Sequence, residues 1–126
     1  MSFRTDRVRV AILLKRKATL SREEFRRYWI ETHGPLVNSL DVIKTNLLKI
    51  EQAHVNESVI AHLTQMPFGP SEWDGIAIFE AESYAKIFEV FQNEEYQKKI
   101  IPDNDVFLDA KGCQLLPLDV LTVVDK

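Results

Sequence analysis

The chain carries one cysteine, Cys113, so no intramolecular disulfide can form and nothing in its cysteine usage points to a stapled, secreted scaffold. Only four Gly and five Pro occur among 126 residues, with no low-complexity tract, which excludes collagen-like and disordered classes and leaves room for one globular domain, 1–126. No apolar run is long enough to cross a bilayer, and Met1-Ser2-Phe3-Arg4 lacks the apolar core of a signal peptide. A cytoplasmic protein with no membrane partner is the expectation. Positive charge is in deficit too, with a formal net charge of −3. The basic residues gather early, from Arg4 to Arg27, but an acidic total argues against a nucleic-acid partner. Also missing are a phosphate-binding loop, a dinucleotide fingerprint, a Cys/His zinc pattern and a Gly-x-Ser-x-Gly elbow. No cofactor or metal is expected, and any chemistry must come from side chains.

The hydrophobic patterning that is present spells out elements. Arg7 to Lys15 starts as a polar/apolar alternation and becomes apolar on both faces, as in a strand covered from both sides at its far end. Ser21-Arg22-Glu23-Glu24 is a capping box: the Ser21 side chain caps the backbone, Glu24 reaches back, and Leu20 with Phe25 forms a hydrophobic staple. The helix carries Phe25, Tyr28, Trp29, Thr32 and His33 three and four residues apart, and Gly34-Pro35 is expected to interrupt it. Thr45 to Val55 reads as a second strand, Asn56 to Gln65 as a short helix, and Met66 to Pro70 as a loop. Trp73 to Phe79 is a third, doubly apolar strand, followed by a helix over Ser83 to Gln92 with Tyr84, Ile87, Phe88 and Phe91 on one stripe. Asn93 to Ile101 adds a turn or two of helix that Pro102 is expected to end, and Leu115 to Val124 is the last strand, with Pro117 marking an edge or a bulge.

The order β-α-β-β-α-β with two amphipathic helices predicts an α+β, ferredoxin-like domain: a four-stranded antiparallel sheet with its helices on one face. Because the first, third and fourth strands are apolar on both sides, the bare sheet face would form a patch larger than soluble monomers usually expose. A second copy packed sheet against sheet covers it, so a homodimer is expected.

Several of these segments resemble a known family: Leu14-Lys15-Arg16-Lys17, Ser21 through Trp29, and Thr32-His33-Gly34-Pro35-Leu36-Val37. They are similar to the signature of EthD-domain proteins. Trp73-Asp74-Gly75 and the stretch from Tyr96 through Ile101-Pro102-Asp103 to Phe107-Leu108-Asp109 resemble the fungal members found in aromatic polyketide pathways. The sequence departs from those relatives at Asp103-Asn104-Asp105, where they usually carry Pro-Asp-Glu. The resemblance implies a dimeric α/β barrel and a small polyketide-like substrate between helices and sheet, with a lyase role, decarboxylation or dehydration.

Among candidate site residues, His33 suits acid/base work, since imidazole changes charge near neutral pH. Carbonyls at a helix end favour its cation and burial beside Trp29 favours the neutral ring, so the direction of its pKa shift stays open. The plain alternative is a structural histidine bonded to a backbone carbonyl. Tyr28 is a candidate donor or an interfacial core tyrosine; Asp74 is a pocket carboxylate or a turn cap, beside a Gly75 that would let a ligand approach the backbone. His54 is expected to line the pocket and His62 to lie on the surface, while Trp29, Phe79, Phe88, Phe91 and Phe107 are expected to shape the substrate site. Asp103 and Asp109 read as solvated charges, Asp109 with Lys15 or Arg16 as a possible ion partner, and Cys113 as an inert buried thiol. The chemistry expected is that of a cofactor-independent lyase, with cyclisation possible on the same groups. Two rivals stand beside it: a cofactor-free monooxygenase of the anthrone-oxidising kind, and a non-catalytic carrier of a hydrophobic ligand.

Overall fold

The computed structural model describes residues 1–63, 65–69 and 71–126, so Thr64 in the expected short helix and Pro70 in the expected loop lie outside the described residues. Four strands, β1 (Val8–Leu14), β2 (Leu47–His54), β3 (Gly75–Ala81) and β4 (Gln114–Leu118), form one antiparallel sheet in the order β2-β3-β1-β4. The expected ferredoxin-like arrangement is therefore the one observed. Two register facts fix the faces: Val10 pairs with Phe79 and Ala11 with Ile78, so alternate residues look to opposite sides. Val10, Leu14, Ala77, Phe79 and Ala81 point into the core beneath the helices. Ala11, Leu13, Ile76 and Ile78 point to the opposite side, where Ala11 is buried and the other three are partly exposed.

The first helix begins as expected. Ser21 accepts from the Glu24 amide at 3.1 Å and the Glu24 carboxylate accepts from the Ser21 amide at 2.9 Å. From there α1 (Arg22–Tyr28) buries Phe25, and Leu20 packs against the same cluster. Gly34-Pro35 does not stop the helix. A π-helical turn at Trp29–His33 leads directly into α2 (Gly34–Asn38), and the Gly34 amide donates to the Trp29 carbonyl five residues back. The wider turn accommodates Pro35, which has no N–H to give and whose ring would crowd the carbonyl four residues earlier in a regular helix.

A short α3 (Asp41–Asn46) then leads into β2, and α4 (Glu57–Ile60) with a 3₁₀ turn at Ala61–Leu63 follows it. Helix α5 (Tyr84–Gln92) is capped by Ser83, and α6 (Glu94–Phe107) by Asn93, whose side chain accepts from the Tyr96 amide at 3.0 Å. Pro102 was expected to end this last helix, yet α6 runs on to Phe107 with Pro102 inside it. The buried Tyr96, Ile100 and Phe107 hold both halves of α6 against the core, which offsets the one hydrogen bond that Pro102 removes. Strand β4 is shorter than the expected Leu115 to Val124. Pro117 sits on this edge strand, opposite Val10, where one side of the chain has no neighbour to satisfy. Among the described residues no helix is long and apolar enough to cross a membrane.

Candidate functional site

The π-helical turn, α2 and α6 meet above β1, β2 and β3 around a cavity of about 380 Å³. Its apolar wall is built by Leu14, Trp29, Ala77, Phe79 and Phe107, and its polar groups come from His33, Gln52, Tyr96, Asn104 and Cys113. A concave, largely apolar space with a few convergent polar groups is the usual form of a small-molecule site. Trp29, Phe79 and Phe107, expected to shape it, are all on its wall. Phe91 stands behind the wall, its ring 5.9 Å from Phe79 and 5.7 Å from Tyr96. Phe88 is not on the wall; it is half exposed and stacks on Tyr84.

The π-helical turn delivers His33 to this cavity from a buried position, with its ring 4.7 Å from Phe107. His33 Nδ1 lies 2.7 Å from Asp103 Oδ2, and the hydroxyl of Tyr28 donates to Asp103 Oδ1 at 2.5 Å. A carboxylate can only accept, so Nδ1 carries the proton and Nε2 is the free lone-pair nitrogen of the neutral ring. The helix continues through Gly34, so His33 does not stand at the helix end that the sequence suggested. Burial pushes the His33 pKa below its ordinary value, and the hydrogen bond and charge of Asp103 pull the other way without overcoming it. The Tyr28 hydroxyl is pushed up to about 12, by burial first and then by its bond to Asp103, and so remains a donor.

Asp103 is thus no solvated charge: its side chain is 13% exposed and joins two expected site residues that do not bond to each other. The signal for it was present but masked by Pro102. Once the helix is allowed to continue, Tyr96, Ile100, Asp103 and Phe107 fall four, three and four residues apart on one stripe, with a carboxylate among apolar neighbours.

The structure does not bring the remaining expected helpers to His33. Asp74 is buried at the start of β3, where it accepts from the Arg16 amide at 2.9 Å, from Arg16 Nε at 3.2 Å and from Arg22 Nε at 3.1 Å. It ties the segment before α1 to the sheet and is absent from the cavity wall. Arg16, considered from sequence as a partner for Asp109, pairs with Asp74 instead. Gly75 admits an approach to the backbone, but by Trp29 and not by a ligand: a Cβ there would stand 2.6 Å from the indole. His54 faces the outer side of that indole, ring centres 4.3 Å apart, and Nε2 donates to Gln52 Oε1 at 2.9 Å. It borders a separate hollow with Arg22, Arg26 and Asp74. His62 is exposed, as expected. Cys113 is half-buried on the cavity wall, and burial raises its thiol pKa.

A ferredoxin-like sheet with a buried His–Asp–Tyr relay beside an apolar cavity defines the class of protein. The chain belongs to the EthD domain family, whose model matches residues 17–111. No curated protein sequence matches it. Among solved structures, it is similar to an EthD family protein from Bacillus halodurans, at 14% identity and a TM-score of 0.64 over 91% of this chain and 99% of that one. It is also similar to a dimeric protein of ferredoxin-like fold and unknown function from Bacteroides fragilis, at 12% identity and a TM-score of 0.63 over 94% and 100% of the two chains. A hydroxynitrile lyase from Passiflora edulis shares the fold at 11% identity, with a TM-score of 0.61 over 97% of this chain and 100% of that one.

Proposed function

We propose that this EthD-domain chain is a cofactor-independent lyase that decarboxylates or dehydrates an aromatic polyketide-type intermediate. The observation that carries the reading is His33, held at Nδ1 by Asp103 and bordering an apolar cavity, its second nitrogen without a hydrogen-bond partner among the described residues. Poly-β-ketone substrates bring their own electron sink. In decarboxylation, Nε2 takes the proton of a β-keto acid, the C–C pair moves into the ketone as carbon dioxide leaves, and Nε2–H returns the proton to the enolate carbon. In dehydration, Nε2 takes the acidic α-proton of a β-hydroxy ketone and the protonated ring supplies it to the departing hydroxide. Exclusion of water from the apolar chamber favours decarboxylation, since it destabilises a free carboxylate relative to the delocalised enolate. Tyr28 acts one step removed, orienting Asp103, which in turn orients His33. That the Passiflora edulis structure of the same fold is a lyase adds support.

The active form in this reading is a homodimer. The face opposite the core leaves Leu13, Ile76 and Ile78 partly exposed, and a similar Bacteroides fragilis structure is described as dimeric.

Incubation of the purified protein with polyketide acids, followed by product mass, tests the proposal. Loss of carbon dioxide or of water is expected, and His33→Ala slows it by about 10²–10⁴-fold, the usual weight of a positioned acid/base. Gain of oxygen would assign the monooxygenase instead, and full turnover by His33→Ala would end the acid/base reading.

A further inference from the structure

A second polar group of the cavity has a free valence. Tyr96 lies at the start of α6 and is 5% exposed, packed among Val37, Leu40 and Ile100. Its backbone amide is capped by Asn93 and its ring meets Phe91, but its hydroxyl has no hydrogen-bond partner among the described residues. It is also a lining residue of the cavity that His33 borders. The hydroxyl is not among the fully buried unpaired atoms of the described residues, so it reaches the open space of the cavity, where a ligand can meet it. Where the protein supplies none, the space the hydroxyl borders is where the partner belongs.

Tyr96 precedes Asp103, the partner of His33, by seven residues on the same helix, which is about 10 Å along the axis. The helix therefore sets the phenol and the partner of the imidazole at separate points along the cavity, which Phe79, Ile50 and Val37 also line. We infer that Tyr96 is a substrate-binding donor, selecting aromatic ligands that carry an acceptor oxygen away from the carbon facing His33. The inference rests on the cavity being the small-aromatic site proposed above, and it adds the residue that sets the ligand's direction. The hydroxyl stays protonated throughout the working range, since burial raises its pKa to about 12. It gives a hydrogen bond and takes no part in proton transfer. An aromatic with oxygen at one end only would bind in one orientation, and an all-carbon analogue would leave the phenol unpaired.

The test is calorimetric titration with two isosteres, 2-acetylnaphthalene and 2-ethylnaphthalene, neither of which can be decarboxylated or dehydrated. The wild type should prefer the ketone by about 5–10-fold, the worth of one neutral hydrogen bond. Tyr96→Phe should bring the two affinities to within about twofold of each other, whereas His33→Ala keeps the preference. Equal binding by the wild type overturns the inference without any variant. So does a preference that survives Tyr96→Phe, or one that vanishes in His33→Ala because the oxygen docks on the imidazole. Turnover assays on His33→Ala judge the lyase reading independently, so the two can fail separately.

Discussion

His33 meets the requirement for a base at neutral pH, because its neutral form is favoured by burial and its tautomer is set by Asp103. A histidine whose folded pKa lies below its unfolded value leaves the unfolded chain holding more protons in the interval between them. Stability is therefore unaffected above about pH 6.5 and falls as the pH drops through that interval. The acid limb of activity should sit in the same place, with an apparent pKa below 6.5. Asp103→Asn removes the two influences that raise the value, so the limb should move further toward acid while the rate falls by about 10²-fold or more. Imidazole NMR titration, with His33→Gln to assign the signal, checks the shift even without a substrate. A His33 resonance titrating above 6.5 would contradict it.

At the scale of elements, the site depends on how α1, the π-helical turn and α2 lie against the start of β3. Gly75 is where that fit is tightest. A methyl at 2.6 Å from Trp29 Cζ3 has nowhere to go, since the indole is 2% exposed and wedged between Phe25 and His54. Gly75→Ala should cost about 1–3 kcal/mol in chemical denaturation through overpacking. Gly69→Ala, where an added Cβ meets nothing within 4 Å, should stay within about 0.5 kcal/mol. The beginnings of these helices were readable because capping is local: Ser21, Ser83 and Asn93 each accept from an amide three residues on. Their ends were not. At Gly34-Pro35 and at Pro102 the local preference was to stop, and burial of Val37 and Phe107 beyond those points overrode it.

For the whole molecule, the sheet face opposite the core carries the proposed pairing. Ile78 sits at its middle, on the central strand β3, partly exposed beside Ala11. Ile78→Glu should convert the expected dimer to a monomer in analytical ultracentrifugation, because a carboxylate would be buried unpaired at the seam. A wild type that is monomeric at micromolar concentration would refute the pairing. The apolar runs of β1 and β3 and the amphipathic stripes of α1 and α5 make the fold legible in the sequence, since patterning records which sides of each element are dry. The first helix's stripe also puts His33 and Trp29 on the inward side, where the structure has them. What only the tertiary structure decided is the company these residues keep. Asp103 joins His33 and Tyr28 from 70 and 75 residues away, Asp74 is claimed by Arg16 and Arg22, and Tyr96 is left with a free hydroxyl at the cavity. Periodicity carries the direction in which a side chain points, but a hydrogen bond between distant segments depends on where two helices cross, and that is set by the packing of the whole core.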